Sequence, residues 1–253
     1  MDEIEVVNGD ITLRVEVAGD GPVLLCVHGW PVLSYSWRHQ QRHFAERGYR
    51  VAALDVRGYG GSSAPREIER YTLRELASDV AAVASALGDE PVVLVGHDWG
   101  APIVYHTAIR HPEVVRGVVG LSVPHTPPRP ISLLDVLDAV FEDRFFYILH
   151  FQEPGEVEAE FSADLPRALK TVYHGASADG AGLVTMRDLP RGAPMIENMA
   201  PPPEGPLSFM SDEDLGAYDR AFERSVLHGG FNRYRALAFE PEDSILHAWA
   251  GTG

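Results

Sequence analysis

The sequence predicts an α/β fold: a mostly parallel sheet with helices on both faces, followed by a long helical insertion. Three observations predict it. Short apolar runs recur at 23–27 (VLLCV), 51–55 (VAALD), 92–95 (VVLV) and 114–123 (VVRGVVGLSV), with helix-patterned stretches between them. Such runs suit strands covered on both sides, and strands separated by helices join in parallel. After Pro124 the strand signals largely stop and helical ones take over. The length of 253 residues suits one large α/β domain carrying an insertion.

In chain order, ITLRVEVAG (11–19) alternates apolar and polar residues, the pattern of a half-exposed strand, and Gly19-Asp20-Gly21 turns it. VLLCV follows as a buried strand. Tyr35 to Arg47 reads as a helix stopped by Gly48. VAALD is the next strand, leading into the turn-rich RGYGGSSAP (57–65). Thr72, with Glu75 three residues on, can cap a helix that reaches Leu87 and stops at Gly88. VVLV then leads into a turn and a helix from Ala101 to Arg110, and VVRGVVGLSV reads as one more buried strand. Beyond Pro124, Ser132–Phe151, Glu156–Phe161, Leu165–His174 and Asp212–Leu227 look helical, and Ser211 with Asp214 resembles a capping box. The tail from Phe239 offers one short helix. The division expected is 1–123, 124–236 and 237–253.

Composition removes several classes of function. A net charge of −16 leaves no basic face for nucleic acid and disfavours anionic membranes. No run approaches the roughly 18 apolar residues of a membrane span. The acidic start MDEIEVVNGD lacks the pattern of a secretory signal, so a cytoplasmic location is expected. The single cysteine, Cys26, sits in an apolar strand and reads as a buried small hydrophobe. His39 and His43 share a helix face, but no third ligand lies nearby, so no metal is expected. No cofactor is expected either.

The segment with chemical content is GHDWG (96–100). A sharp strand–turn–helix places its central residue above the sheet in a strained conformation, and the strand and helix backbones then pass close to the residues on either side. Gly96 and Gly100 supply small residues at both two-residue offsets from Asp98. The pattern leaves two readings: a nucleophilic carboxylate, or a helix N-cap.

Five blocks in order resemble the α/β-hydrolase superfamily and, within it, the soluble epoxide hydrolases: HGWP (28–31), DVRGYGGSS (55–63), GHDWG, FYILHFQEPGEVEAEF (146–161) and GGFNRYR (229–235). The resemblance implies an α/β-hydrolase core with a helical lid. It implies Asp98 as nucleophile, Trp30 and Trp99 as backbone oxyanion donors, and Tyr147 and Tyr234 as the lid tyrosines that activate the epoxide oxygen. The partner implied is a small apolar epoxide; a homodimer is left open. An aspartate suits this chemistry because a carboxylate attacks a strained sp3 carbon without prior deprotonation. The product is an ester on Asp98, whose hydrolysis needs a general base. Family members carry that base histidine and its orienting acid on later strands, whereas this chain ends at HAWAGTG. The C-terminal strands of the core are therefore expected to be missing, and neither residue is found among the 11 histidines and the acids. His125 is the least implausible substitute. An ester that forms and stalls is the resulting expectation. The alternatives are a haloalkane dehalogenase, which would need side-chain N–H donors for its halide, and a noncatalytic ligand-binding protein.

Overall fold

The structure, a computed structural model, describes residues 2–126, 131–180, 186, 188–225 and 227–242. Its sheet has six strands, β1 (Asp2–Asn8), β2 (Ile11–Ala18), β3 (Val23–Val27), β4 (Arg50–Leu54), β5 (Val92–His97) and β6 (Val115–Leu121), in the spatial order β1-β2-β4-β3-β5-β6. β1, β2 and β4 pair antiparallel, while β4, β3, β5 and β6 are parallel neighbours. The sequence reading did not anticipate β1. Its residues DEIEVVN mix charge with apolar side chains and only Val6 is buried, so neither alternation nor an apolar run marks it.

Helices α2 (Leu73–Leu87) and α3 (Gly100–Arg110) pack together on one face of the sheet. The main core lies there, with Leu25, Val27, Leu54, Leu94, Leu76, Val80 and Ile103. On the other face α1 (Arg38–Ala45), entered through a 3-10 turn at Ser34–Trp37, covers Cys26, Val51 and Ala53. Burial pushes the Cys26 thiol up to about 12, as an inert core cysteine requires. Thr72 caps α2 through the Glu75 N–H. The Glu75 carboxylate bonds Arg57. Arg57 also makes a bidentate pair with Asp79, and both side chains are almost fully buried.

Two expectations need correction. β6 is not buried: it forms an edge of the sheet. Its Gly120 lies under the Tyr105 side chain of α3, but Val119 and Leu121, facing the other way, are 45% and 42% exposed. An apolar run shows that a strand is hydrophobic, not that both faces are covered. The second concerns Ser132–Phe151, which is not one helix. α4 (Leu133–Phe141) stops where Glu142 takes φ 43°, and α5 (Tyr147–His150) begins after a break. Within the break, Arg144 bridges Pro190 and the Phe145 N–H bonds Leu189 O. Burying Phe145 against that segment competes successfully with continuing the helix.

The remaining helices are α6 (Glu156–Ala163), α7 (Leu165–Ala176), α8 (Met195–Asn198), α9 (Asp212–Ser225) and α10 (His228–Arg235), continued by a 3-10 turn at Ala236–Glu242. Ser211 and Asp214 form the expected reciprocal cap of α9. α8 lies between the helices expected at Leu165–His174 and Asp212–Leu227. The rest of the tail, with His247, lies outside the described residues. Among those described, no helix is long and apolar enough to cross a membrane.

Candidate active site

The turn between β5 and α3 has the geometry its glycines imply. Asp98 takes φ 53°, in the left-handed region that side chains rarely adopt. A Cβ on Gly96 would stand 2.3 Å from Gly100 O, and one on Gly100 would stand 2.1 Å from Val27 O. Both offsets must therefore be glycine for strand and helix to close around the turn. Asp98 does not act as a side-chain N-cap, since the α3 start at Trp99 has none. Its carboxylate turns toward the HGWP loop, where Trp30 N–H donates to Oδ1 at 2.8 Å and Trp99 N–H also supports it.

That loop is held open for Asp98 by its own residues. A Cβ on Gly29 would fall 2.2 Å from Asp98 Oδ1. His28 is buried; its Nε2 accepts from Val56 N–H at 3.0 Å, so the proton lies on Nδ1 and goes to Gly29 O at 2.8 Å. Burial lowers its pKa and keeps it neutral. Asp55 ties down the next loop by accepting from Ser34 N–H, Gly61 N–H and Arg14. HGWP and DVRGYGGSS thus form one scaffold beside the turn.

Burial raises the Asp98 pKa, and the two N–H donors oppose that rise without cancelling it. Tyr147 and Tyr234 lie together, ring centroids 5.9 Å apart, and the Asp98 charge reaches both. Burial pushes Tyr147 up to about 12 and Tyr234 well above its ordinary value, so both phenols keep their protons. Trp30 stands against Tyr234, Phe151, Phe161 and Phe231, forming an aromatic wall. All five residues singled out in the sequence therefore lie in one neighbourhood.

The helix that delivers Tyr234 docks through glycine. A Cβ on Gly229 would meet Gly58 Cα at 2.4 Å, so α10 rests directly on the backbone of the loop after β4. Each later residue of FNRYR then has a partner. Asn232 donates to Arg66 O, and Arg235 donates to Phe151 O and pairs with both oxygens of Glu158. Arg233 lies over the Trp99 ring, 4.3 Å from its centroid, and donates to Tyr71 O. Sequence reasoning missed Arg233, and also Tyr59, which is buried and feels the Asp98 charge. Three polar residues, Asn232, Arg233 and Arg235, within four positions beside Phe231 and Tyr234 are a usable signal, because such groups stay buried only when paired.

Several of the described histidines have other partners. His150 bonds Glu160, His228 meets Pro65 O, and His125 meets the Tyr105 ring edge-on. His39 and His43 are exposed. His97 is exposed beside Asp98, whose pKa its charge lowers.

Residues 22–154 match the family described as the alpha/beta hydrolase fold. The chain is 40% identical to Epoxide hydrolase A of Mycobacterium tuberculosis over 227 residues, 89% of this chain and 70% of that protein. It is 36% identical to Epoxide hydrolase 3 of Siraitia grosvenorii over 258 residues, 99% of this chain and 78% of that one. Among solved structures it is similar to Epoxide Hydrolase A from Mycobacterium thermoresistibile, with TM-score 0.90 and 37% identity over 98% of this chain and 78% of the other.

Proposed function

Since the chain belongs to the α/β-hydrolase family and to its epoxide hydrolases, we propose that it opens a small apolar epoxide through an ester on Asp98. The observation that carries this reading is the positive-φ aspartate held by two backbone amides, with the buried Tyr234 and the half-buried Tyr147 paired close enough to feel its charge. Oδ1 is engaged by Trp30 N–H, which leaves Oδ2 to attack the ring carbon from behind. As the carbon–oxygen bond breaks, the phenols of Tyr147 and Tyr234 donate to the emerging alkoxide. Oδ1 becomes the ester carbonyl oxygen. When water attacks, the amides of Trp30 and Trp99 receive its negative charge. In this reading residues 124–236 act as a lid on a core built by 1–123.

Ester hydrolysis also needs a base, and among the described residues no histidine is hydrogen-bonded to Asp98. The proposal therefore makes hydrolysis the slow step. Incubation with a small aryl epoxide, followed by intact-mass measurement, is expected to show an adduct of one epoxide that persists. Asp98→Asn should show none. An adduct-free wild-type chain that makes no diol contradicts the reading; fast diol release contradicts only the slow second step. The dehalogenase alternative would need the Trp99 indole for its halide, and that ring instead packs between Tyr234 and Arg233.

A further inference from the structure

Residues 233 and 234 grip the indole of Trp99 from two directions. Arg233 lies over the ring at 4.3 Å, while Tyr234 meets it at right angles, with centroids 5.3 Å apart and an interplanar angle of 86°. The indole side chain opposes the burial that pushes up the Tyr234 phenol. An indole N–H can only donate, so toward this phenol it can meet only the oxygen, which leaves the phenol proton to point elsewhere. Arg233 is itself fixed: Tyr71 O takes one nitrogen and Glu240 pairs with the other. Among the described residues Nε has no partner, although the side chain is buried. A guanidinium buried with one donor unsatisfied is costly in folding terms, so its placement against the indole calls for a reason.

We propose that Arg233 and the Trp99 indole are positioning residues for Tyr234, aiming its hydroxyl at the epoxide oxygen and supporting the phenolate left when the proton is given up. In the step, Oδ2 of Asp98 forms a bond to the ring carbon and the carbon–oxygen bond breaks. The Tyr234 proton passes to the ring oxygen, and the phenolate later regains one from water. The indole N–H donates to that phenolate. The cation over the indole face draws electron density from the ring and makes the N–H a stronger donor. Among the described residues Tyr147 has no such support, so the geometry assigns the proton transfer to Tyr234 and hydrogen bonding alone to Tyr147. This rests on the Asp98 ester proposed above, which the test separates from it.

The test compares two electrophiles on the full chain, each read by mass as ester on the Asp98 peptide. Opening an aryl epoxide calls for a proton; displacing bromide from benzyl bromide does not. Arg233→Met is expected to lower the epoxide-to-bromide rate ratio by about tenfold or more, the scale of a weakened general acid. Arg233→Lys, which keeps the charge but not the flat stack, should fall between. Trp99→Phe removes the N–H but keeps the ring; it should lower the ratio too, and it decides the matter if Arg233→Met fails to fold. An unchanged ratio, with both rates falling together, overturns the proposal. A wild-type chain that takes benzyl bromide but no epoxide defeats the epoxide reading, and one that takes neither defeats the Asp98 ester.

Discussion

Asp98 shows how much of a site can be encoded within five residues. Gly96 and Gly100 are required by contacts of the turn with its own helix and with β3, and the positive φ of Asp98 follows from that closure. Strain of this kind persists only where the surroundings over-determine it. Here it exposes a carboxylate to two amides and little water. The nucleophile must be ionised, and burial favours its neutral form. A raised pKa means that attack is lost as pH falls through a value above the ordinary aspartate range. The acid limb of adduct formation, measured by quenched mass analysis across pH, should therefore lie above about 3.9. A limb at or below that value contradicts the burial argument.

At the scale of elements, α10 is one of the pieces that join core to helical segment, with the Tyr173–Pro31 and Arg38–Asp214 contacts. Its glycine sits on the loop after β4, and its last residue, Arg235, reaches back to α6 through Glu158. The two blocks at 146–161 and 229–235 were recognisable separately in the sequence; that they bind each other was not, because nothing in either specifies the other as its partner. Burial opposes the Glu158 charge, but hydrogen bonds from Arg235 outweigh it and the carboxyl is held below its ordinary value. A depressed carboxylate contributes stability that is present above its unfolded value, about 4.3, and lost as pH falls through the folded one. Thermal melts should accordingly show the wild type losing its advantage over Glu158→Gln as pH drops below about 4.3. A difference between the two that is constant with pH assigns the effect to packing instead. Sequence periodicity also merged α4 and α5, since a helix break made by Phe145 meeting Leu189 leaves no mark on the local pattern.

For the whole molecule, the decisive feature is which sheet surface remains open. α1 covers one face over β3 and β4, and β6 extends beyond it with Val119 and Leu121 exposed. An edge strand with an apolar face is a template for association. The pair Val119→Lys and Leu121→Lys is expected to reduce concentration-dependent self-association in sedimentation velocity while leaving the adduct yield intact; unaltered association places the contact elsewhere. The order of strands and helices from β2 to β6, the turn at Asp98 and the blocks that carry Tyr147 and Tyr234 followed from sequence alone, because each depends on residues a few positions apart. The tertiary structure alone decided that β6 lies at an edge, that Arg233 stacks on Trp99 and that Arg235 holds Glu158. Those partners lie 134 and 77 residues apart, and only the packed fold selects them from every other buried arginine and its possible neighbours.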